Sequence, residues 1–194
     1  MPSTVRKEQA GVTLVEVLVT MVILAIGLLG LVGLQARLQV LQVESYQRAQ
    51  ALMLLRDMSG RIANNRNAAA AYATASPVGV GMTCPTLTGT PSRRDRDMVD
   101  WCASLQGASE QSGGSQVGAM IGGRGCVEDL GGGQFLVTVA WQGMAPLGAP
   151  PDSVACGAGA YDGGAGSVCV GDLCRRVVTN IVRIADLDLP AAGP

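Results

Sequence analysis

Gly11-Val12-Thr13-Leu14-Val15-Glu16 runs directly into residues 17–36, twenty positions with no charged side chain, mostly Val, Leu, Ile and Met. As a helix rising ~1.5 Å per residue, that run spans about 30 Å, the thickness of a bilayer's hydrocarbon core. Ten residues precede Gly11, with Arg6, Lys7 and Glu8 among them. Glu16 is the one acid at the start of the apolar segment, five residues after the glycine. The order is a charged leader, a glycine and a membrane helix.

An ordinary secretory signal has other proportions. It has a basic start, an apolar stretch of roughly 7–15 residues and a small-x-small cut site behind that stretch. Here the apolar run is longer, and Leu34-Gln35-Ala36 is a poor cut site. Gly11 lies ahead of the run, so a cut there removes the leader and leaves the helix on the protein.

Gly11-Val12-Thr13-Leu14-Val15-Glu16 resembles the prepilin motif of type IV pilins and type II secretion pseudopilins. The resemblance implies that a membrane peptidase cuts between Gly11 and Val12 and methylates the new N-terminus at Val12. It also implies that Glu16 acts in assembly between subunits. Glu16-Val17-Leu18-Val19 and Gly27-Leu28-Leu29-Gly30-Leu31-Val32-Gly33-Leu34-Gln35 narrow the likeness to minor pilins of the PilV type. The resemblance covers residues 6–36. One departure is Val12, where the family usually carries Phe.

A local reading of Glu16 stands beside that one. Thr13-x-x-Glu16 before an apolar run is a capping box, in which Thr13 accepts from the Glu16 amide and Glu16 reaches back. A carboxylate costs roughly 2.5–3.5 kcal/mol near the centre of a membrane span, and less towards its edge. Capping needs only a polar group, which Gln would supply more cheaply. Gly27, Gly30 and Gly33 also carry two readings: close helix packing in the membrane, or a weak point that lets the helix stretch.

The composition excludes much chemistry. The net charge is −1, so no broad basic field attracts nucleic acid. Lys7 is the only lysine and there is no histidine. Removing residues 1–11 takes away Arg6, Lys7 and Glu8 and leaves 12 basic against 14 acidic side chains, a charge of −2. The mature chain then has no phosphate-loop or Schiff-base lysine, no imidazole base and no imidazole metal ligand. Gly-x-Ser-x-Gly, CxxC and a phosphate loop after a strand are all absent from the sequence. No cofactor, metal site or catalytic residue is expected.

Arg6 and Lys7 flank the N-terminal side of the span and keep that side cytoplasmic. The C-terminal part then sits in the periplasm, where disulfides persist. Cys84, Cys102, Cys126, Cys156, Cys169 and Cys174 all lie in that part. An even count there favours three bridges. The rival is a metal site, but Cys169-Val-Gly-Asp-Leu-Cys174 has no second close pair or histidine to complete it. Cys84–Cys102 is the favoured bridge because both lie in one helix-to-sheet connection. The other four cysteines leave three pairings open.

Beyond the span, Leu34, Leu38, Leu41, Ser45, Ala49, Leu52, Leu55, Ser59 and Ile62 follow at steps of three and four. Charged and Gln side chains fall between them, so the helix continues as an amphipathic segment with this stripe towards a core. Asn64-Asn65-Arg66-Asn67 is the expected stop, giving one helix of roughly 75 Å from about Thr13 to about Ala63. Residues 68–133 read as a connecting loop with short structure. Within them, Arg93-Arg94-Asp95-Arg96-Asp97 reads as a solvated loop, and Gly122-Gly123-Arg124-Gly125 as a turn. Two strands are expected. In 134–141, Phe135, Val137, Val139 and Trp141 share a face; in 174–184, Val178, Val182 and Ile184 share one with Asn180. Residues 126–130 are a candidate third strand. Residues 143–171 form a long Gly-, Ala- and Pro-rich loop held by Cys156 and Cys169, and 186–194 a loose tail.

The expected architecture is α+β: a pilin fold whose long N-terminal helix packs on a small antiparallel sheet with disulfide-pinned loops. Its parts are a leader (1–11), a transmembrane half-helix (12–36), a periplasmic half-helix (37–64) and a globular domain (65–194). The resemblance implies a minor pilin of the inner membrane that joins other minor pilins, and the major pilin, in priming or capping a type IV pilus at the cell surface. Its implied partners include prepilin peptidase, the inner-membrane assembly platform and a tip adhesin. Two other readings stay open. One is a minor pseudopilin of type II secretion. The other is a membrane-anchored periplasmic enzyme or sensor whose N-terminus merely looks prepilin-like.

Overall fold

The computed structural model describes residues 11, 13–108, 111–112, 115–116 and 120–185. The expected leader up to Ala10, the Val12 position and the expected tail over 186–194 lie outside them. The chain divides into two units, Met1–Val43 and Glu44–Pro194.

Helix α1 runs Leu14–Asn64 and supplies residues to both units. In the first unit its Val, Leu, Ile and Met side chains are exposed on every side. In the second unit one face is buried: Gln47, Gln50, Ala51, Leu55, Met58 and Ile62. The expected stripe is therefore right at Leu55 and Ile62 but rotated further back. Ser45 and Ala49 are exposed, and Gln47 and Ala51 hold the buried line at steps of four. The stripe hides in the sequence because two of its members are glutamines, whose stems bury like hydrocarbon while their amides do not read as apolar.

After α1 comes a 3-10 segment, Arg66–Tyr72, and a two-residue strand β1, Val78–Gly79. Helix α2 then covers Arg93–Leu105. This corrects the solvated-loop reading of residues 93–97, which form the first turns of α2. Ser92 Oγ accepts from the Asp95 amide, and the Asp95 carboxylate accepts from the Ser92 amide, a reciprocal capping box. Behind the charges, Met98, Trp101, Cys102 and Leu105 recur at helical spacing and are all buried.

Two short strands, β2 (Gln111–Ser112) and β3 (Ser115–Gln116), pair with each other. Strands β4 (Arg124–Gly131), β5 (Gln134–Gln142) and β6 (Arg175–Arg183) then complete a four-stranded antiparallel sheet, ordered β1-β4-β5-β6. The expected turn over 122–125 is corrected in its second half: Arg124 and Gly125 already belong to β4. Gly132 and Gly133 form the two-residue link from β4 to β5. Both have positive φ (58° and 71°), which matches the twist of a tight hairpin and which side chains disfavour.

The sheet buries both faces. On one, Val127, Phe135, Val137, Val139, Trp141 and Val182 join Leu55, Met58, Ile62, Tyr72 and Trp101 in the main core. Gly125 lies under the Trp101 ring, and a Cβ there would stand 2.3 Å from it, so only glycine admits this contact. On the other face, Cys126, Ala140, Cys156 and Tyr161 form a smaller core beneath the loop that joins β5 to β6. Three disulfides pin the fold: Cys84–Cys102, Cys126–Cys156 and Cys169–Cys174. The first ties α2 to the segment before it, the second ties the loop to β4, and the third closes the end of the loop before β6. The result is an α+β, pilin-like architecture.

Candidate functional site

The sequence places the candidate site at the start of α1. Gly11 is exposed, and among the described residues no atom lies within 4 Å of the place a Cβ would take. The Gly11–Val12 bond itself reaches a residue outside the described set. Thr13 begins the helix: its carbonyl accepts from the Val17 amide at 3.3 Å, and its Oγ1 accepts from the Glu16 amide, also at 3.3 Å. The Thr13 half of the expected capping arrangement is thus present. Thr20 Oγ donates to the Val17 carbonyl at 2.8 Å, so this hydroxyl is satisfied locally within the apolar stretch. Glu16 is exposed, and among the described residues its carboxylate has no hydrogen-bond or ion-pair partner.

Downstream, Gly27, Gly30 and Gly33 have open space where their Cβ atoms would be. Gly30 and Gly33, with Leu34 and Arg37, leave a shallow notch on the helix surface. The helix is long and apolar enough to cross a membrane. Its exposed large apolar side chains, from Leu14 to Val43, form a surface far beyond what a free soluble domain tolerates.

In the second unit a polar cluster joins α1, the 3-10 segment and α2, and the sequence reading missed it. The Arg61 guanidinium lies 2.9 Å from Asp57, 2.8 Å from Asp97 and 3.5 Å from Asp100. Asp97 also accepts from the Tyr72 hydroxyl, which in turn accepts from Asn65 Nδ2 at 3.0 Å. Burial works against the Arg61 charge, but bonding to Asp57 and Asp97 outweighs it and raises the pKa above its usual value. The Tyr72 hydroxyl is also raised, first by burial and then by its bond to Asp97. Asp95 is lowered by its hydrogen bonds from Ser92. The capping box Ser92-x-x-Asp95 was the signal that could have located α2 and brought Asp97 inward. Through Arg61 and Tyr72 the cluster fastens α1, the 3-10 segment and α2 to one another.

Beneath the β5–β6 loop, Arg175 is almost fully buried. It ion-pairs with Asp172 at 3.1 Å and donates to the carbonyls of Val154 and Cys156. Tyr161 donates to the Gly122 carbonyl at 2.9 Å, and the Arg124 guanidinium stands 5.5 Å from its ring centre. Burial pushes the Tyr161 hydroxyl up to about 12. Glu44 on α1 accepts from the Met144 amide at 2.9 Å and lies 3.6 Å from Arg176, which holds the start of the same loop. Cys169 and Cys174 bond to each other and are not available as ligands.

Residues 6–32 match the family model described as the prokaryotic N-terminal methylation motif. No curated protein and no solved structure matches the chain. The matched segment contains Gly11, Val12 and Glu16 and ends inside the apolar helix. It supports a pilin or pseudopilin role. A motif of this kind implies processing by prepilin peptidase and assembly with other pilins, and with the apolar helix it suggests membrane anchoring.

Proposed function

We propose that the protein is a minor pilin of the PilV type, a structural and non-catalytic subunit of type IV pilus assembly that works in the priming or tip complex. The observation that carries this reading is the methylation motif over residues 6–32, continuous with a helix whose large apolar side chains are exposed. In this reading residues 1–11 are removed, Val12 becomes the methylated N-terminus, and residues 12–36 anchor the subunit in the inner membrane. The domain from residue 65 onward then stands in the periplasm. The same motif serves minor pseudopilins of type II secretion, and crosslinks to neighbouring subunits identify which assembly the protein joins.

Glu16 carries the chemistry of assembly. After the cut, Val12 has an α-amino group with a reference pKa of ~7.7–8.0, so it is largely cationic near neutral pH. Glu16 lies four residues on, ~6 Å deeper along the helix. In an apolar bundle an unpaired charge is costly and an opposite charge is a strong partner. A neighbour shifted along the axis brings its own N-terminus to this carboxylate, and that contact sets the stagger of the incoming subunit. The exposure of Glu16 at the start of the apolar helix supports this use.

Mass spectrometry of membrane-extracted protein should find Val12 at the N-terminus with one added methyl. An N-terminus at Met1, or behind Ala36, would sink the proposal. Substituting a bulky residue at Gly11 should block the cut, because the peptidase must admit an extended backbone beside a residue without a side chain. Glu16→Gln keeps size and capping ability and removes the charge. That variant should insert and be cut, yet fail to crosslink to other pilins; crosslinking at the unchanged level would rule the pairing out.

A further inference from the structure

The two edges of the four-stranded sheet are finished differently. The β1 edge is two residues long. Gln106 Nε2 donates to the carbonyls of Gly79 and Met82, and Arg124 Nε donates to that of Val80, so this edge is covered. The β6 edge is nine residues long, pairs with β5 without a register shift, and contains no proline.

The direction of each peptide group in β6 follows from its ends. Gly143 donates to the Cys174 carbonyl, and Ile184 donates to the Gly133 carbonyl, both at 2.8 Å and both in the β5–β6 register. Antiparallel pairs alternate between bonded and non-bonded. Arg176, Val178, Asn180 and Val182 therefore turn their peptide groups to β5, while Val177, Thr179, Ile181 and Arg183 turn theirs outward. Arg175 also faces outward but is occupied: its amide donates to Asp172, and its carbonyl accepts from its neighbour's guanidinium. Among the described residues, nothing bonds the outward groups of the other four. An open row of this kind is a template for another strand.

We infer that the β6 edge pairs antiparallel with β6 of a second copy of this chain, about a two-fold axis at Asn180. In that register Thr179 lies opposite Ile181 of the second copy, and Val177 lies opposite Arg183 of the second copy. The bonded rows then match outward group to outward group. No arginine faces an arginine, whereas sliding the pairing by one bonded row towards Arg175 would set Arg175 against Arg183. Val177, Thr179 and Ile181 are β-branched and suit cross-strand packing. Ile181 is 45% exposed and lies across β5's Leu136 in the register, so pairing would cover this side chain with the methyl of Thr179 from the second copy. The chain's net charge of −1 opposes the approach of two copies only weakly. A two-fold contact closes on itself, so its product is a dimer. This contact is separate from helix packing through α1.

Charge exchange at the seam tests the pairing in full-length protein held in detergent micelles. The unchanged protein should show a concentration-dependent dimer by sedimentation. Thr179→Glu with Ile181→Glu sets like charges opposite each other, as does Thr179→Lys with Ile181→Lys. Each double variant should lose dimer affinity by at least tenfold while keeping its melting temperature, since both positions are exposed. Mixing the two should restore a dimer that contains one of each. Association through α1 would not respond to these changes. A monomer at every concentration, full dimerisation of either double variant, or a mixture that stays monomeric would each overturn the inference.

Discussion

The two stretches of α1 belong to one helix and meet their own chain in opposite ways. Residues 14–43 expose almost every large apolar side chain they carry; Leu14 is 77% and Leu29 72% exposed. Residues 44–64 bury a single face, with Ala51, Met58 and Ile62 at 0%. The first stretch is the more apolar, yet its large side chains are the exposed ones. Hydrophobicity alone thus does not say where a helix is buried. A helix apolar all round, without charge from Val17 to Ala36, calls for a solvent that is itself apolar on every side. The second stretch interleaves Arg48, Arg56, Asp57 and Arg61 with its buried line, and that pattern fits a boundary between core and water.

Truncating one leucine in each stretch should expose this contrast most strongly. Leu55 lies in the main core, and Leu55→Ala should destabilise the second unit by about 2–5 kcal/mol through lost burial and a residual cavity. Leu24 touches no core, and Leu24→Ala should leave the unfolding of that unit within ~0.5 kcal/mol of the unchanged protein. Chemical unfolding in micelles, followed by Trp101 and Trp141 fluorescence, measures both. Equal effects would mean that the two stretches unfold as one unit.

Alkaline titration separates the regions in another way. The Tyr161 hydroxyl is held at about 12 in the folded domain, against an unfolded value near 10. The folded state favours the protonated form, so this contribution is whole below pH ~10. Stability should then fall by roughly 1.4 kcal/mol per pH unit until the folded value is reached. Tyr161→Phe should flatten that slope and lose one hydrogen bond, to the Gly122 carbonyl. Rapid pH-jump unfolding checks the slope. The circular dichroism of residues 14–43 in micelles should not follow it, because Tyr161 belongs to the other unit.

The smallest effect is expected at the start of α2. Ser92→Ala removes the side-chain cap from the Asp95 amide and should cost about 1 kcal/mol. Amide exchange should quicken in α2, and also near Leu54, whose carbonyl accepts from the Trp101 indole at 3.1 Å. It should stay unchanged in residues 14–43.

Local signals were read correctly wherever one residue type carried its meaning alone. An uncharged twenty-residue run can only be a span or a buried helix. Alternation at Phe135, Val137, Val139 and Trp141 marks a strand with one core face, and the Cys84–Cys102 bridge follows from two cysteines within one connection. The reading failed where a residue's meaning depended on what packs behind it. Gln47 and Gln50 looked like the wet side of α1, and the charges of residues 93–97 looked like a loop. On the face of β5 away from that alternation, Thr138 and Ala140 are also fully buried, and Ala140 packs with Cys156 and Tyr161 of the β5–β6 loop.

By itself, then, the sequence determined the membrane-type helix with its glycine and acid, the strand-rich C-terminal part and the presence of paired thiols. These follow from composition and short-range periodicity, which act within a few residues. Only the tertiary structure decided which cysteines among the last four join, that Arg61 meets Asp97 and Tyr72, and that Gly125 must stay bare beneath Trp101. It alone decided that one sheet edge is covered and that, among the described residues, the outward groups of Val177, Thr179, Ile181 and Arg183 on the other are unbonded. Each of those outcomes depends on elements distant in the chain being brought into register, and no local pattern of side chains encodes that distance.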